Sequence, residues 1–88
     1  MTTISGRVLD ASERPIPMAR IYFISGPTAL PDVAALTNEE GQFTLSAPCA
    51  GNYEISITAD DFVSTTIRVT LKQGEQAAVV IRLERRSE

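Results

Sequence analysis

The amino-acid sequence predicts an all-β fold, a sandwich or a barrel of seven short antiparallel strands. Over most of the apolar stretches, apolar and polar residues alternate with a period of two, which places one face of a strand in a core and the other in water. Residues that favour turns separate these stretches at intervals of about ten residues. No segment shows a helical period. Two sheets packed about 10 Å apart would bury the apolar faces against each other.

The fourth and fifth predicted strands show the clearest alternation. Phe43 and Leu45 alternate with polar residues, and Tyr53 and Ile55 resume the pattern after a break at 48–52. A tight turn at 38–41 precedes the fourth strand, and Gly41 is expected to supply a positive φ there. The predicted strands, in chain order, cover residues 3–9, 19–25, 33–37, 42–46, 53–59, 63–71 and 77–83.

Large apolar side chains on the inward faces are expected to carry most of the stability, because each contributes about 1.5–3 kcal/mol when it is buried. In the second strand Phe23 lies on one face while Tyr22 and Ile24 share the other, so coverage on both sides is expected. Val63 is expected to begin the inward face of the sixth strand. The side chains expected to dominate the core are Phe23, Phe43, Tyr53, Ile55, Ile67 and Ile81.

Two residues near the start of the chain carry local predictions. Gly6 lies inside a strand, which indicates a bulge or the close approach of another backbone. Asp10 opens a loop held by Pro15 and Pro17. We expect its carboxylate to accept hydrogen bonds from backbone amides about two residues further along the chain.

Composition excludes several classes of function. The chain has 88 residues, which is one domain, and a net charge of −3 with a pI near 4.8. Nucleic-acid binders need a basic surface, and the only basic doublet here is Arg85–Arg86 near the C-terminus. No apolar run reaches the roughly 20 residues of a transmembrane helix.

The chain contains one cysteine and no histidine. Cys49 therefore has no intrachain disulfide partner, and its neighbours in the sequence include no histidine or cationic residue that would activate it as a nucleophile. Without histidine, Ser-His-Asp and Cys-His sites and a structural zinc site are excluded. The first residues lack the features of a signal peptide. The chain is thus expected to be cytoplasmic as it stands, or extracytoplasmic if it is a module of a larger secreted protein.

Several short motifs occur in a characteristic order: ISGRVLD at 4–10, PIPMARI at 15–21, TNEEGQFTL at 37–45, Pro48 followed by GNYEI at 51–55, and ADDF at 59–62. With these motifs the chain resembles the carboxypeptidase regulatory-like domain, a transthyretin-like (prealbumin-like) Greek-key β-sandwich of seven strands. The resemblance covers about 3–84 of a single domain, 1–88. The family usually has Gly where this chain has Asp61, and Asp tolerates the left-handed conformation that such a turn needs.

The resemblance implies structural roles for the matching residues and no catalytic machinery. Members are usually accessory modules beside enzymes, receptors or surface proteins, and most are found outside the cytoplasm. One transthyretin-like branch hydrolyses 5-hydroxyisourate with histidines, which this chain lacks. We therefore expect no enzyme but a module that binds another protein or supports its parent polypeptide.

Acidic residues concentrate in the first, third and fifth connections between strands. If every connection reverses the chain direction, these three connections lie at one pole of the sandwich. Oxygen ligands at this pole could bind calcium weakly. The alternative, which we favour, is that they are solvated turn residues. The candidate ligands are Asp10, Asn38, Glu40, Asp60 and Asp61.

The opposite pole and the strand edges provide further candidates. Exposed Pro27, Leu30 and Pro31 in the irregular loop at 25–32 could contact a partner protein, although the alternative that we favour is an ordinary variable loop. Carbohydrate binding would need an exposed aromatic ring, and Tyr22 is the one placed to supply it. A free edge strand can pair with another chain. The chain is accordingly expected to be a monomer or a weak edge-strand dimer, with no cofactor other than calcium considered.

Overall fold

The computed structural model describes residues 2–30 and 34–86. Within them it contains a β-sandwich, and each predicted strand is present with bounds shifted by a few residues. Val33, the predicted start of the third strand, lies outside the described residues. The strands are β1 (Thr2–Leu9), β2 (Arg20–Ser25), β3 (Ala35–Leu36), β4 (Gln42–Ala47), β5 (Gly51–Thr58), β6 (Thr65–Leu71) and β7 (Gln76–Arg82).

The strands form two sheets, one in the order β4-β1-β7 and the other in the order β3-β2-β5-β6. Every connection reverses the chain, so odd-numbered strands run one way and even-numbered strands the other. Four strand pairs join an odd-numbered to an even-numbered strand and are antiparallel, as predicted. The fifth pair joins β1 to β7, which are both odd-numbered, and it is therefore parallel. The predicted sandwich is confirmed, with one parallel pair in it.

The core lies between the two sheets and is built from the inward faces of all the long strands. Tyr53, Ile55, Phe43 and Ile81 are buried, as predicted. Phe23 is only half-buried, and so is Ile67 on the edge strand β6, because an edge strand has a neighbour on one side only. The largest fully buried side chains are Tyr53, Ile4, Ile21, Ile55, Ile57, Leu83 and Val8.

Two predictions about coverage are wrong. Tyr22 and Ile24 are 37% and 52% exposed, so β2 is covered on one face only. No further layer of described residues packs on the outer face of β2, because all seven strands belong to the two sheets. Val63 is 46% exposed and precedes β6, since its amide donates a hydrogen bond to the Glu84 carbonyl (2.8 Å) instead of continuing the strand.

The local predictions at glycine are confirmed. A Cβ atom on Gly6 would lie 2.3 Å from the Val79 carbonyl oxygen and 3.1 Å from the Phe43 ring, so Gly6 marks a close approach between strands. Gly41 has a φ of 76° and closes the turn before β4, where its amide donates to the Asn38 carbonyl (2.9 Å). Both residues hold β1 close to its neighbours.

Candidate interaction surfaces

The connections that carry the acidic residues lie at the same end of the sandwich, which we call the acidic pole. Asp10 is there, and its Oδ1 accepts hydrogen bonds from the amides of Ser12 (2.8 Å) and Arg14 (3.0 Å), as predicted. The bond from Arg14, more than that from Ser12, holds the pKa of Asp10 below its usual value. Asp10 therefore stabilises its own loop.

Glu13 lies in the same loop and has a left-handed φ of 66°. Its carboxylate forms a bidentate ion pair with Arg82 of β7. Arg82 Nε donates to Oε1 (2.8 Å) and its NH2 group donates to Oε2 (3.1 Å). These hydrogen bonds lower the pKa of Glu13 and raise the pKa of Arg82. The acidic charge of this loop is thus matched by an arginine.

Asn38 organises the second acidic connection. Its Oδ1 accepts hydrogen bonds from the amides of Glu40 and Gln42, both at 2.9 Å. The Glu40 carbonyl accepts from Arg7 Nε (3.3 Å), while its side chain is exposed. The Asn38 oxygen is therefore already used in shaping the turn before β4.

Asp60 and Asp61 form the third acidic connection. Asp60 is 92% exposed at its side chain and lies 3.4 Å from the Arg20 guanidinium. Asp61 has a φ of 70°, which agrees with the expected left-handed turn, and its carbonyl accepts from the Arg86 amide (2.9 Å). Among the described residues, no three Asp, Glu, Cys or His side chains are grouped to hold a metal ion. Calcium binding at this pole stays a prediction.

At the opposite pole, Cys49 has a structural role. The buried Tyr53 hydroxyl donates to the Cys49 carbonyl (2.6 Å) and accepts from the Cys49 amide (3.3 Å). Burial, followed by the contact with the Cys49 thiol, raises the pKa of Tyr53. Tyr53 also packs against Phe23, with ring centroids 5.0 Å apart.

The irregular loop at this pole, residues 25–32, is less exposed in its described part than predicted. Leu30 is half-buried against the core instead of fully exposed as predicted. Pro27 lies beside Gly51, where an added Cβ would come within 2.6 Å of the Pro27 ring. Pro31 and Asp32 lie outside the described residues. In the described part of the loop, Pro27 is therefore more exposed than Leu30.

Among the described residues, the outer face of the β3-β2-β5-β6 sheet carries three exposed large apolar side chains. Leu36 (53% exposed) is in register with Arg20, and Tyr22 follows two residues along β2 on the same face. A β-bulge between Phe23 and Ser25 leaves Ile24 as an extra residue, exposed like Tyr22. We call Tyr22, Ile24 and Leu36 the outer stripe.

A shallow depression of about 340 Å³ lies on the same sheet towards the opposite pole. Its walls carry polar side chains that bond to one another. Ser25 donates to Glu54 (3.2 Å), Arg68 lies 3.9 Å from Glu54, and Thr70 donates to Asn52 (2.8 Å). The outer face therefore combines an apolar stripe on β2 and β3 with a polar region on β5 and β6.

A family model for the carboxypeptidase regulatory-like domain matches residues 3–84. This range runs from β1 to just beyond β7 and includes both sheets. The chain belongs to the carboxypeptidase regulatory-like domain family. No curated protein is a significant match to this regulatory-like domain.

Several solved structures share the fold of the regulatory-like domain. Two interface mutants of a type II cohesin–X-dockerin complex from Acetivibrio cellulolyticus each have a TM-score of 0.70, at 18% and 19% identity. In both, the match covers 94% of this chain and 57% of the other chain. The Bacillus anthracis TIE protein has a TM-score of 0.71 at 14% identity, with 96% of this chain and 16% of that chain covered. These likenesses show the fold, and the domain spans only part of each chain.

Across residues 2–30 and 34–86, no helix is long and apolar enough to cross a membrane.

Proposed function

We propose that this regulatory-like domain is a non-catalytic module that docks onto another protein, or onto its parent polypeptide, through the outer stripe. The observation that carries the proposal is the exposure of Tyr22, Ile24 and Leu36 at neighbouring positions of one solvent-facing sheet. Exposed apolar groups clustered on one surface are typical of protein interaction sites. Tyr combines a large apolar ring with a polar tip and suits such a surface.

Two further facts support this proposal. The chain has no histidine, and in the described residues the carboxylates at the acidic pole are dispersed or paired with arginines. The solved structures with the same fold include members of a cohesin–X-dockerin complex, which is an assembly of proteins. Both facts favour binding over catalysis for this domain.

The test is site-specific photocrosslinking in the cells that produce the full-length protein. A benzophenone amino acid replaces Tyr22, and a control replaces Thr44, which is exposed on the outer face of the other sheet. We expect a discrete adduct from position 22 and none from position 44. The partner identified by mass spectrometry should then bind the purified domain, and the double variant Ile24→Ser, Leu36→Ser should abolish this binding.

Two results would contradict the docking proposal. The first is the absence of an adduct from position 22, or equal adducts from both positions. The second is an adduct made only of this chain with itself, because the outer stripe would then be a contact between copies.

A second candidate function is the binding of a small polar ligand such as an oligosaccharide. The depression formed by Ser25, Asn52, Glu54 and Arg68 favours it, because amide, hydroxyl and charged groups at one place are suited to sugar hydroxyls. Titration calorimetry with soluble glucans tests this candidate. The control is Gln73→Ala, at an exposed position between β6 and β7 outside the depression. Saturable heat that Glu54→Ala removes and Gln73→Ala leaves unchanged would support sugar binding, while an absence of heat would exclude glucans as ligands.

A further inference from the structure

Among the described residues, no strand pairs with β7 on the side away from β1, so β7 forms a free edge of the β4-β1-β7 sheet. Its sequence from Gln76 to Ile81 contains no charged residue and no proline, and Val80 is 59% exposed. Natural edge strands usually carry charges, prolines or bulges that prevent pairing with another chain. β7 lacks these protections until Arg82, so this edge is suited to pairing.

Hydrogen bonds show which backbone groups of β7 point away from the sheet. The Leu83 amide donates to the Leu9 carbonyl (2.9 Å), and the Glu75 carbonyl accepts from the Thr3 amide (3.0 Å). Odd-numbered residues of β7 therefore direct their backbone groups towards β1. Because this direction alternates along a strand, the even-numbered residues direct theirs to the free side. These residues are Gln76, Ala78, Val80 and Arg82.

The free stretch has defined ends. After Arg82, the Glu84 carbonyl accepts a hydrogen bond from the Val63 amide (2.8 Å), so the edge is covered there. Before Gln76, the chain turns at 72–75, where the Glu75 amide donates to the Lys72 carbonyl (3.0 Å). The available backbone groups thus lie at 76–82 and are symmetric about Val79.

The other strand edges are less suited to pairing. β3 has only two residues. β4 begins at Gln42, whose carbonyl already accepts from the Asn38 amide (3.0 Å), and it ends just before Pro48. β6 carries Arg68 at its centre, a charge of the kind that discourages pairing of an edge with a copy of itself.

We propose that two copies of this chain associate through β7, antiparallel and related by a two-fold axis at Val79. This register pairs the outward backbone groups of 76 with 82 and of 78 with 80, so that all four are satisfied. On the outer face Ala78 lies opposite Val80 and Gln76 opposite Arg82, which sets small against large and avoids opposed like charges. On the inner face Ala77 lies opposite Ile81.

The resulting contact between the two copies cannot extend beyond a dimer, and it covers side chains that are partly exposed in the monomer. The two three-stranded sheets become one continuous six-stranded sheet. Val79 and Ala77, which are half-buried at the open side of the sandwich, gain a neighbouring strand. A two-fold contact uses up the same surface on both copies, so the association stops at the dimer.

The first test measures the mass of the unmodified chain by sedimentation equilibrium from micromolar to millimolar concentration. We expect the mass to rise to twice that of the monomer. Val80→Lys should keep the chain monomeric, because it places a charge in the paired face. Thr44→Lys, with the same charge change on the same sheet away from the edge, should still dimerise. Circular dichroism melts confirm that both variants are folded.

The second test reads the register with disulfides in a Cys49→Ser background, which removes the native thiol. Val79→Cys places two thiols in a directly opposed pair with Cα atoms about 4.5 Å apart, within the range that a disulfide spans. Val80→Cys places them diagonally, about 7–8 Å apart, beyond that range. We expect mild oxidation to link Val79→Cys and not Val80→Cys, although Val80 is the more exposed of the two.

Either of two outcomes would overturn the proposal: a monomer at every concentration, or disulfide linkage that is faster at position 80 than at 79. The inference does not depend on the proposed function, because the outer stripe lies on the other sheet. A dimer without a crosslinked partner at Tyr22 would support the β7 dimer and contradict the docking proposal. A crosslinked partner at Tyr22 without a dimer would do the reverse.

Discussion

Single residues determine how closely the strands of the β4-β1-β7 sheet approach one another. Gly6 is the clearest case, because the Val79 carbonyl oxygen and one Val79 methyl group lie 2.3 and 2.7 Å from where its Cβ would be. The sequence indicates a close approach at Gly6, but it does not identify Val79 and Phe43 as the neighbours. Those neighbours are far away along the chain and are brought there by the registers of β7 and β4.

We predict that Gly6→Ala lowers the free energy of unfolding by about 1–3 kcal/mol, because the added methyl group overpacks the site. Gly74→Ala is the matched control, since no atom of the described residues lies within 4 Å of an added Cβ there and only its φ of 74° is unfavourable. It should cost about 1 kcal/mol. Urea denaturation measures both changes. Equal losses would mean that the close approach at Gly6 is unimportant.

A second prediction at this scale concerns pH and Asp10. Its pKa is lowered in the folded state from a usual 3.8, mainly by the hydrogen bond from the Arg14 amide. The unfolded chain therefore binds a proton more readily. The stabilisation is present above the unfolded pKa and is lost as the pH falls through the lower, folded pKa.

We expect Asp10→Ala to lower the melting temperature at neutral pH and the difference from the native chain to narrow as the pH falls below about 4. Asp60→Ala is the control, because the Asp60 side chain is 92% exposed and bonds no backbone amide of its own loop. Melts across the acid range test this. A difference that stays constant with pH would show that the carboxylate charge is not responsible.

At the scale of elements, the two connections at 10–19 and 37–41 are held together by Thr37. This buried residue donates its hydroxyl hydrogen to the Ile16 carbonyl (2.7 Å) and accepts from the Ala19 amide (2.9 Å). Its own backbone bonds to Met18 and Ala19. The side chain therefore satisfies backbone groups in a loop that forms no ladder of its own, and it fixes where β2 begins.

We predict that Thr37→Val lowers the free energy of unfolding by about 2–4 kcal/mol, because two buried backbone groups lose their partners while the volume is unchanged. Thr37→Ser, which keeps the hydroxyl, should cost less. Thr66→Val, at an exposed position on β6, should have little effect. Denaturant unfolding of the three variants decides this, and a similar loss for Thr37→Val and Thr66→Val would contradict the assigned role.

The bulge in β2 is the other feature at this scale, and it lies beside the outer stripe. It leaves Ile24 without a paired residue in β5, while alternation along β2 already places Ile24 on the same face as Tyr22. Nothing in the local sequence marks the bulge, because it arises from a shift in pairing with Glu54 and Ile55 of β5. The outer stripe therefore combines alternation along β2, which groups Tyr22 with Ile24, and the pairing of β3 with β2, which adds Leu36.

At the scale of the whole molecule, the reversal of the chain at every connection gathers the acidic turns at one pole. Two arginines lie at the same pole. Arg82 forms an ion pair with Glu13, and Arg20 forms one with Asp60. Together with the backbone bonds to Asp10 and Asn38, these contacts occupy several of the oxygens that a cation would need. We therefore favour the interpretation of this pole as turns whose acidic residues bond within the domain.

We accordingly predict no large change in melting temperature between excess calcium and a chelator. A ligand at 100 times its dissociation constant adds about 2.7 kcal/mol to the folded state. Since 1 kcal/mol moves the midpoint by about 4–8 °C in a domain of this size, a true site would shift the melt by more than about 10 °C. A shift of that size that Asp60→Asn abolishes would instead establish a calcium site.

The sequence by itself determined the class of fold, the family, the approximate strands, and local devices such as the turn at Gly41 and the loop bonds of Asp10. These depend on contacts between residues close in the chain, and on a period of two that says which side chains share a face. The tertiary structure alone decided that β1 and β7 pair in parallel, that β7 is a free edge, and that Tyr22, Ile24 and Leu36 are exposed. The physical reason is that periodicity is a property of one strand, whereas neighbours, edges and coverage depend on which distant strands pair.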